Sequence, residues 1–163
     1  MEQITARSLL ATPLGQVAVC IANGKVVEVG FNPANNLPAF ADNETDEELA
    51  KEAARQLSDY FAGERKDFDL PIAFSGTRFQ EAVWKEIKKI GFGKTATYKD
   101  LALRIGKPKA ARAVGGAVGA NPIGIIVGCH RILGSSGQLT GYSGGNGVPT
   151  KIKLLELEGI EFK

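Results

Sequence analysis

"FGKTATYKDLALRIGKPKAARAVGGAVGANP" occupies residues 92–122, and its reading decides the fold. FGKTATYKDLALRIG reads as a loop and a short helix, and Lys107 then precedes Pro108, a residue suited to the first turn of a helix. The second run, rich in Ala and Gly, is stopped at Asn121-Pro122, because the residue before a proline is biased away from helix. Two short helices joined by a tight turn form a helix-turn-helix pattern.

Working outward, TRFQEAVWKEIKKI upstream places Phe79, Val83, Ile87 and Ile90 on one stripe with Trp84 beside it, the signature of an amphipathic helix. Downstream, IGIIVGCHRIL is an apolar run that reads as buried, GSSGQLTGYSGGNGVPT as a polar loop, and KIKLLELEGIEF as a last helix. Residues 66–77, with a Pro and a Gly and no clear period, read as a connection. Before it, NETDEELAKEAARQLSDYFAGERK has a polar start, apolar residues at Leu49, Ala53, Leu57, Tyr60 and Phe61, and Gly63 as a stop, so it reads as a single helix. The first segment, TARSLLATPLGQVAVCIANGKVVEVGFN, alternates apolar and polar residues between breaks at Pro13-Leu14-Gly15 and Asn23-Gly24, which reads as a three-stranded antiparallel meander. The expectation is an α+β chain. Residues 1–70 form a small antiparallel sheet with a helix, and residues 71–163 a mostly helical domain containing the helix-turn-helix.

The chain has 163 residues, 44% hydrophobic and 23% charged, which suits one or two small globular domains rather than disorder. Its apolar runs are too short to span a bilayer, and MEQITARSLL, with acidic Glu2, lacks the long apolar core of a signal peptide. A cytoplasmic protein without membrane association is expected. The formal net charge of +2 hides an asymmetry: residues 1–70 hold 12 acidic against 6 basic side chains, net −6, and residues 71–163 hold 6 against 14, net +8. The second part therefore reads either as a polyanion-binding face or as a solvated basic surface.

Cys20 and Cys129 lie far apart with no CxxC, so neither a disulfide framework nor a cysteine-rich metal site is indicated. His130, the only histidine, follows Cys129 directly. A thiolate is the reactive form of cysteine and needs a base or cation to lower its pKa; an imidazole can do this directly or through one water, with a carboxylate fixing its tautomer. Neighbouring side chains on an extended strand point to opposite faces, so the pair can cooperate only if the backbone bends, which Gly128 permits. The alternative is a buried structural thiol. Its place at the end of an apolar run, the glycine-rich loop that follows and the cation of Arg131 favour a reactive one. Arg112 projects from a helix of small residues that allows close approach to another helix or to a nucleic-acid groove, with Lys94, Lys99, Arg104, Lys107 and Lys109 nearby.

Tyr98-Lys-Asp-Leu-Ala, Pro-Lys-Ala-Ala-Arg112-Ala-Val-Gly-Gly-Ala, Asn121-Pro122, Cys129-His130-Arg131, Ser-Ser-Gly, Gly-Tyr142-Ser143-Gly-Gly and Leu-Leu-Glu-Leu-Glu158-Gly together resemble the alkylguanine-DNA alkyltransferases, the methylated-DNA–protein-cysteine methyltransferases. The match runs in unbroken order over residues 79–159, while residues 1–70 are similar in pattern only. The resemblance implies a monomer that binds the minor groove of double-stranded DNA and flips out O6-alkylguanine, with O4-alkylthymine as a further candidate. The alkyl group then passes irreversibly to Cys129. It further implies that Arg112 fills the place of the flipped nucleotide, and that Tyr98 helps rotate the nucleotide and bonds the base. His130 acts as a water-mediated base with Glu158 behind it. Asn121 stabilises the turn that presents the cysteine, Tyr142 and Ser143 belong to the loop over the guanine, and backbone groups near Cys129 and Ile132 read its edge. No cofactor and no metal are implied. The chain departs from the family pattern at Gly128, where proline is usual, and in GGNGVPTK, which is about two residues longer.

Three other readings compete. A lesion-binding relative without chemistry would lack Cys129. A helix-turn-helix regulator would leave Cys129, His130 and Glu158 without purpose. A cysteine hydrolase must release its acyl group to water and usually draws its histidine from a distant segment.

Overall fold

The computed structural model describes residues 3–31 and 38–163, so Glu2 and Asn32, at the ends of two stretches read above, lie outside the described residues. The chain divides into two compact units, Met1–Ser75 and Gly76–Lys163.

In the first unit, β1 (Ala6–Thr12), β2 (Gly15–Ala22) and β3 (Lys25–Phe31) form the expected antiparallel meander. The β2–β3 turn holds Asn23 at φ 50° and Gly24 at φ 75°, the two positive values a tight hairpin turn demands and that Asn-Gly tolerates. The sheet also has a fourth member, β4 (Phe40–Ala41), which pairs antiparallel with the outer edge of β1 and gives the order β3-β2-β1-β4. On the opposite edge, within the stretch read as a connection, Ile72 bridges Val26 in parallel: the Val26 N–H donates to the Pro71 carbonyl at 2.8 Å, and the Ala73 N–H donates to the Val26 carbonyl at 3.0 Å. One face of the sheet carries α1 (Glu44–Phe61), capped by the Asn43 side chain on the Asp46 N–H. Its buried stripe of Asp46, Ala50, Ala53, Leu57 and Tyr60 follows helical spacing.

The second unit starts with α2 (Arg78–Lys88), held by a reciprocal capping box between Thr77 and Gln80. It buries Val83, Trp84 and Ile87, and the Trp84 indole donates to the Ala117 carbonyl at 2.8 Å, pinning α2 to α4 (Ala111–Gly119). Between them β5 (Ala96–Thr97) runs into α3 (Tyr98–Arg104), whose own capping box uses Thr97 and Asp100. Helix α4 begins three residues later than Pro108 suggests, because Lys107–Ala110 closes a turn, with the Ala110 N–H on the Lys107 carbonyl. β6 (Ile132–Leu133) lies parallel to β5, a two-residue pairing that no sequence pattern announces. The chain ends on α5 (Val148–Leu157), with Pro149 in its first turn. No helix among the described residues is long and apolar enough to cross a membrane.

Candidate active site

The apolar run before Cys129 is buried, as its composition requires, but as a compact turn rather than a strand. The Asn121 side chain builds that turn: its Oδ1 accepts from the Ile123 N–H at 3.0 Å, and its Nδ2 donates to the carbonyls of Ile123 at 3.3 Å and Val127 at 2.9 Å. Ile125, buried and β-branched, is held there at φ 67°, a conformation such residues avoid unless surrounding bonds impose it. At Gly128 (φ −73°, ψ 62°) the chain makes an inverse γ-turn, with the Cys129 N–H on the Val127 carbonyl at 2.8 Å, and enters the 3-10 turn Cys129–Arg131. The chain is therefore not extended between Cys129 and His130.

Cys129 is 6% exposed and borders a cavity of about 330 Å³. Gly115, Val118 and Gly119 of α4 form one wall, Tyr98 of α3 another, and Gly141, Tyr142 and Ser143 of the loop a third. That loop is fastened to α4 by Ser143, whose hydroxyl donates to the Gly119 carbonyl at 2.8 Å. Four predicted residues therefore meet at one cavity: Tyr98, Cys129, Tyr142 and Ser143. Arg112 stands exposed on α4, and no ion pair found among the described residues involves it. Ile132 is fully buried and does not border the cavity, and its carbonyl accepts from the Lys151 Nζ at 2.7 Å.

Behind the thiol lies a buried ionic cluster. Glu158 pairs with the His130 Nε2 at 2.6 Å, with the Arg131 guanidinium through Nε at 2.8 Å and a second nitrogen at 3.1 Å, and with the Gly93 N–H at 3.0 Å. Burial would raise the Glu158 pKa, but the bonds from His130 and Arg131 outweigh it and hold the group far below the ordinary carboxylate range. His130 shifts the other way: burial lowers its pKa more than Glu158 raises it, so the imidazole is neutral. An ionised Glu158 on Nε2 requires that nitrogen to carry the proton, which leaves Nδ1 as a lone-pair acceptor. Nδ1 is buried and has no hydrogen-bond partner in the structure. Burial also raises the Cys129 thiol, partly offset by Asn121, Tyr142 and the charge of Lys151. Thiol and imidazole are thus both neutral at rest.

The cation whose charge acts on the thiol is Lys151, which sequence reading passed over in favour of Arg131. The Arg131 guanidinium is occupied by Glu158 and by the Ile90 carbonyl at 2.7 Å. Lys151 is 1% exposed, and burial pulls its pKa down to about 8. A signal for it existed: Lys151, Leu154, Leu155 and Glu158 follow the i, i+3, i+4, i+7 spacing of a single helix face, and all four are buried. Among the described residues no group of His, Cys, Asp or Glu is arranged to hold a metal.

A thiol at the edge of an open cavity, an imidazole–carboxylate pair behind it and a buried ammonium beside it make up the site of a protein that attacks with cysteine. Comparison with known proteins narrows that class. Residues 78–160 match the family described as 6-O-methylguanine DNA methyltransferase, DNA binding domain, and residues 6–74 match its ribonuclease-like domain. A methylated-DNA–protein-cysteine methyltransferase of Methanosarcina acetivorans is 54% identical over 113 residues, covering 69% of this chain and 71% of that protein. That of Haemophilus influenzae is 40% identical over 153 residues, covering 93% and 84%. In structure, Mycobacterium tuberculosis OGT in complex with DNA superposes with a TM-score of 0.80 at 40% identity, covering 93% of this chain and 91% of that one. The chain belongs to the methylated-DNA–protein-cysteine methyltransferase family.

Proposed function

We propose that the chain repairs O6-alkylguanine in double-stranded DNA by moving the alkyl group to Cys129, once per molecule. The observation that carries this reading is the thiol at the cavity edge with the Glu158–His130 pair behind it and Lys151 beside it. In this reading α3 and α4 dock in the minor groove, and the exposed Arg112 takes the stacking place of the extruded nucleotide. The guanine enters between Tyr98 and the Tyr142–Ser143 loop, and Gly115 and Gly119 leave α4 without side chains to block it.

The neutral resting pair sets the order of events. The Cys129 proton passes through one water to the His130 Nδ1, the ionised Glu158 stabilises the resulting imidazolium, and Lys151 stabilises the thiolate. The sulfur forms a bond to the alkyl carbon, the carbon–oxygen bond breaks, and its electron pair stays on guanine oxygen 6, aided by a hydrogen bond from Tyr98. The thioether product has no leaving group, so turnover stops at one. O4-alkylthymine presents the same alkyl–oxygen bond on a smaller base and is a second candidate. The chain acts as a monomer.

Intact-mass measurement after exposure to a duplex bearing O6-methylguanine tests the proposal. The expected result is a gain of one methyl per chain, saturating there and mapping to Cys129. A complex that forms without a mass gain would reduce the protein to a lesion binder, and continued turnover would make it a hydrolase.

A further inference from the structure

The Tyr98 hydroxyl, in the wall of the cavity, lies 2.7 Å from the Thr140 Oγ1, and the same oxygen accepts from the Lys151 Nζ at 2.9 Å. Lys151 is otherwise spent on the Ile132 carbonyl at 2.7 Å and the Gly141 carbonyl at 3.4 Å. An ammonium can only donate, so Thr140 is an acceptor on that side. A hydroxyl that accepts from a cation in a low-dielectric interior becomes a stronger donor, because linked hydrogen bonds polarise one another. Its own proton then goes to the Tyr98 oxygen, and the Tyr98 proton is left to point into the cavity.

We propose that Thr140 is a positioning residue that couples the Lys151 ammonium to the Tyr98 hydroxyl and orients that hydroxyl as a hydrogen-bond donor toward the bound base. The coupling gives Lys151 two tasks, one on each reacting group. Its charge lowers the Cys129 thiol pKa against the effect of burial, and through Thr140 and Tyr98 it assists the departing purine, which must accept a hydrogen bond or a proton as the carbon–oxygen bond breaks. Nothing in the sequence marks Thr140, which stands in a polar loop among Gly, Ser and Gln.

The inference rests on the alkyl-transfer reading, and a double-mutant cycle keeps the two apart. Single-turnover methyl transfer from a duplex carrying O6-methylguanine is measured for the wild type, Thr140→Val, Thr140→Ser, Tyr98→Phe and Tyr98→Phe/Thr140→Val. Thr140→Val keeps the shape and removes the hydroxyl; it is expected to slow transfer about tenfold, the effect of one hydrogen bond in the transition state. Thr140→Ser should restore the rate to within about twofold. In the Tyr98→Phe background the Val substitution should have no further effect, since its target is gone. An equal loss in both backgrounds would show that Thr140 merely supports the loop. An unchanged or faster Thr140→Val protein would show that Tyr98 donates to Thr140 instead, and either result overturns the inference. A wild-type protein that gains no methyl would sink the alkyl-transfer reading itself.

Discussion

At the scale of single residues, the Cys129-His130 dipeptide is weak on its own and becomes specific through its surroundings. Cys20, the other thiol, lies buried in β2, where burial raises its pKa and Arg7 and Glu28 are its charged neighbours. Peptide mapping after repair should therefore find the alkyl group on Cys129 alone. Gly128, the departure from the family's proline, sits at φ −73°, inside the range that proline would impose. The three Asn121 bonds brace the turn before it, and a Cβ at residue 128 would come within 2.9 Å of the Arg131 guanidinium as it now stands. The carboxylate assignment can be tested separately from DNA binding. Glu158→Gln removes the charge behind His130, so the imidazolium is less stabilised and the apparent thiol pKa of Cys129 rises. The rate–pH profile should move to higher pH while duplex affinity stays nearly unchanged. Glu156, exposed on the same helix, is the control, and Glu156→Gln should leave the profile in place. A shift with Glu156→Gln and none with Glu158→Gln would mean that the wrong carboxylate was assigned.

At the scale of elements, α4 explains why a helix poor in large side chains persists: Val114 and Ala117 are buried in the core, and Gly115, Val118 and Gly119 line the cavity. Arg112 is the one long side chain free to reach outward from it. Arg112→Ala should weaken repair of duplex DNA much more than reaction with free O6-methylguanine, because extruding a base costs a few kcal/mol in a duplex and nothing for a free base. Equal losses on the two substrates would assign Arg112 another role. The meander, α1 and α2 were legible because each carries a period long enough to read, and two of them a local stop: Asn23-Gly24 for the hairpin and Gly63 for α1, while α2 showed itself by its apolar stripe. β4, the Val26–Ile72 bridge and the β5–β6 pair were not legible. Each is one or two residues long and exists only because distant segments bring the partners together, so it leaves no periodic trace. In the site, Cys129 and His130 stood out through residue type, and Glu158 entered only through the family resemblance. Lys151 and Thr140 were missed because lysine at a helix start and threonine in a polar loop are ordinary surface choices, although the helical period of α5 placed Lys151 on the buried face.

At the scale of the whole molecule, the charge asymmetry and the buried cluster have separate consequences. The excess of basic side chains in residues 71–163 supports a polyanion partner, and affinity for a duplex should fall steeply as salt rises. The buried cluster governs how stability varies with pH. His130 has a folded pKa below its ordinary 6.5, so the unfolded chain takes up that proton first, and stability falls as pH drops below about 6.5. Glu158 has a folded pKa far below its ordinary 4.5, so its contribution is fully present above that value and is lost as pH falls further, amounting to about 1 kcal/mol by pH 4. On the alkaline side Lys151, lowered to about 8, and Cys129, raised, act in opposite senses, which leaves the acid limb as the informative one. Trp84, the only tryptophan, is buried in the second unit, so its fluorescence during urea unfolding reports on that unit. The wild-type midpoint should fall in two windows, one below pH 6.5 from His130 and one below pH 4.5 from Glu158. Glu158→Gln should start lower at pH 7, by about 3–5 kcal/mol, because Arg131 loses its buried partner. Its decline between pH 6.5 and 5 should persist or steepen, since glutamine cannot stabilise an imidazolium, while its decline below pH 4.5 should flatten. A variant curve parallel to the wild type below pH 4.5 would show that the acid limb arises elsewhere and that Glu158 is not the low-pKa carboxylate of this unit.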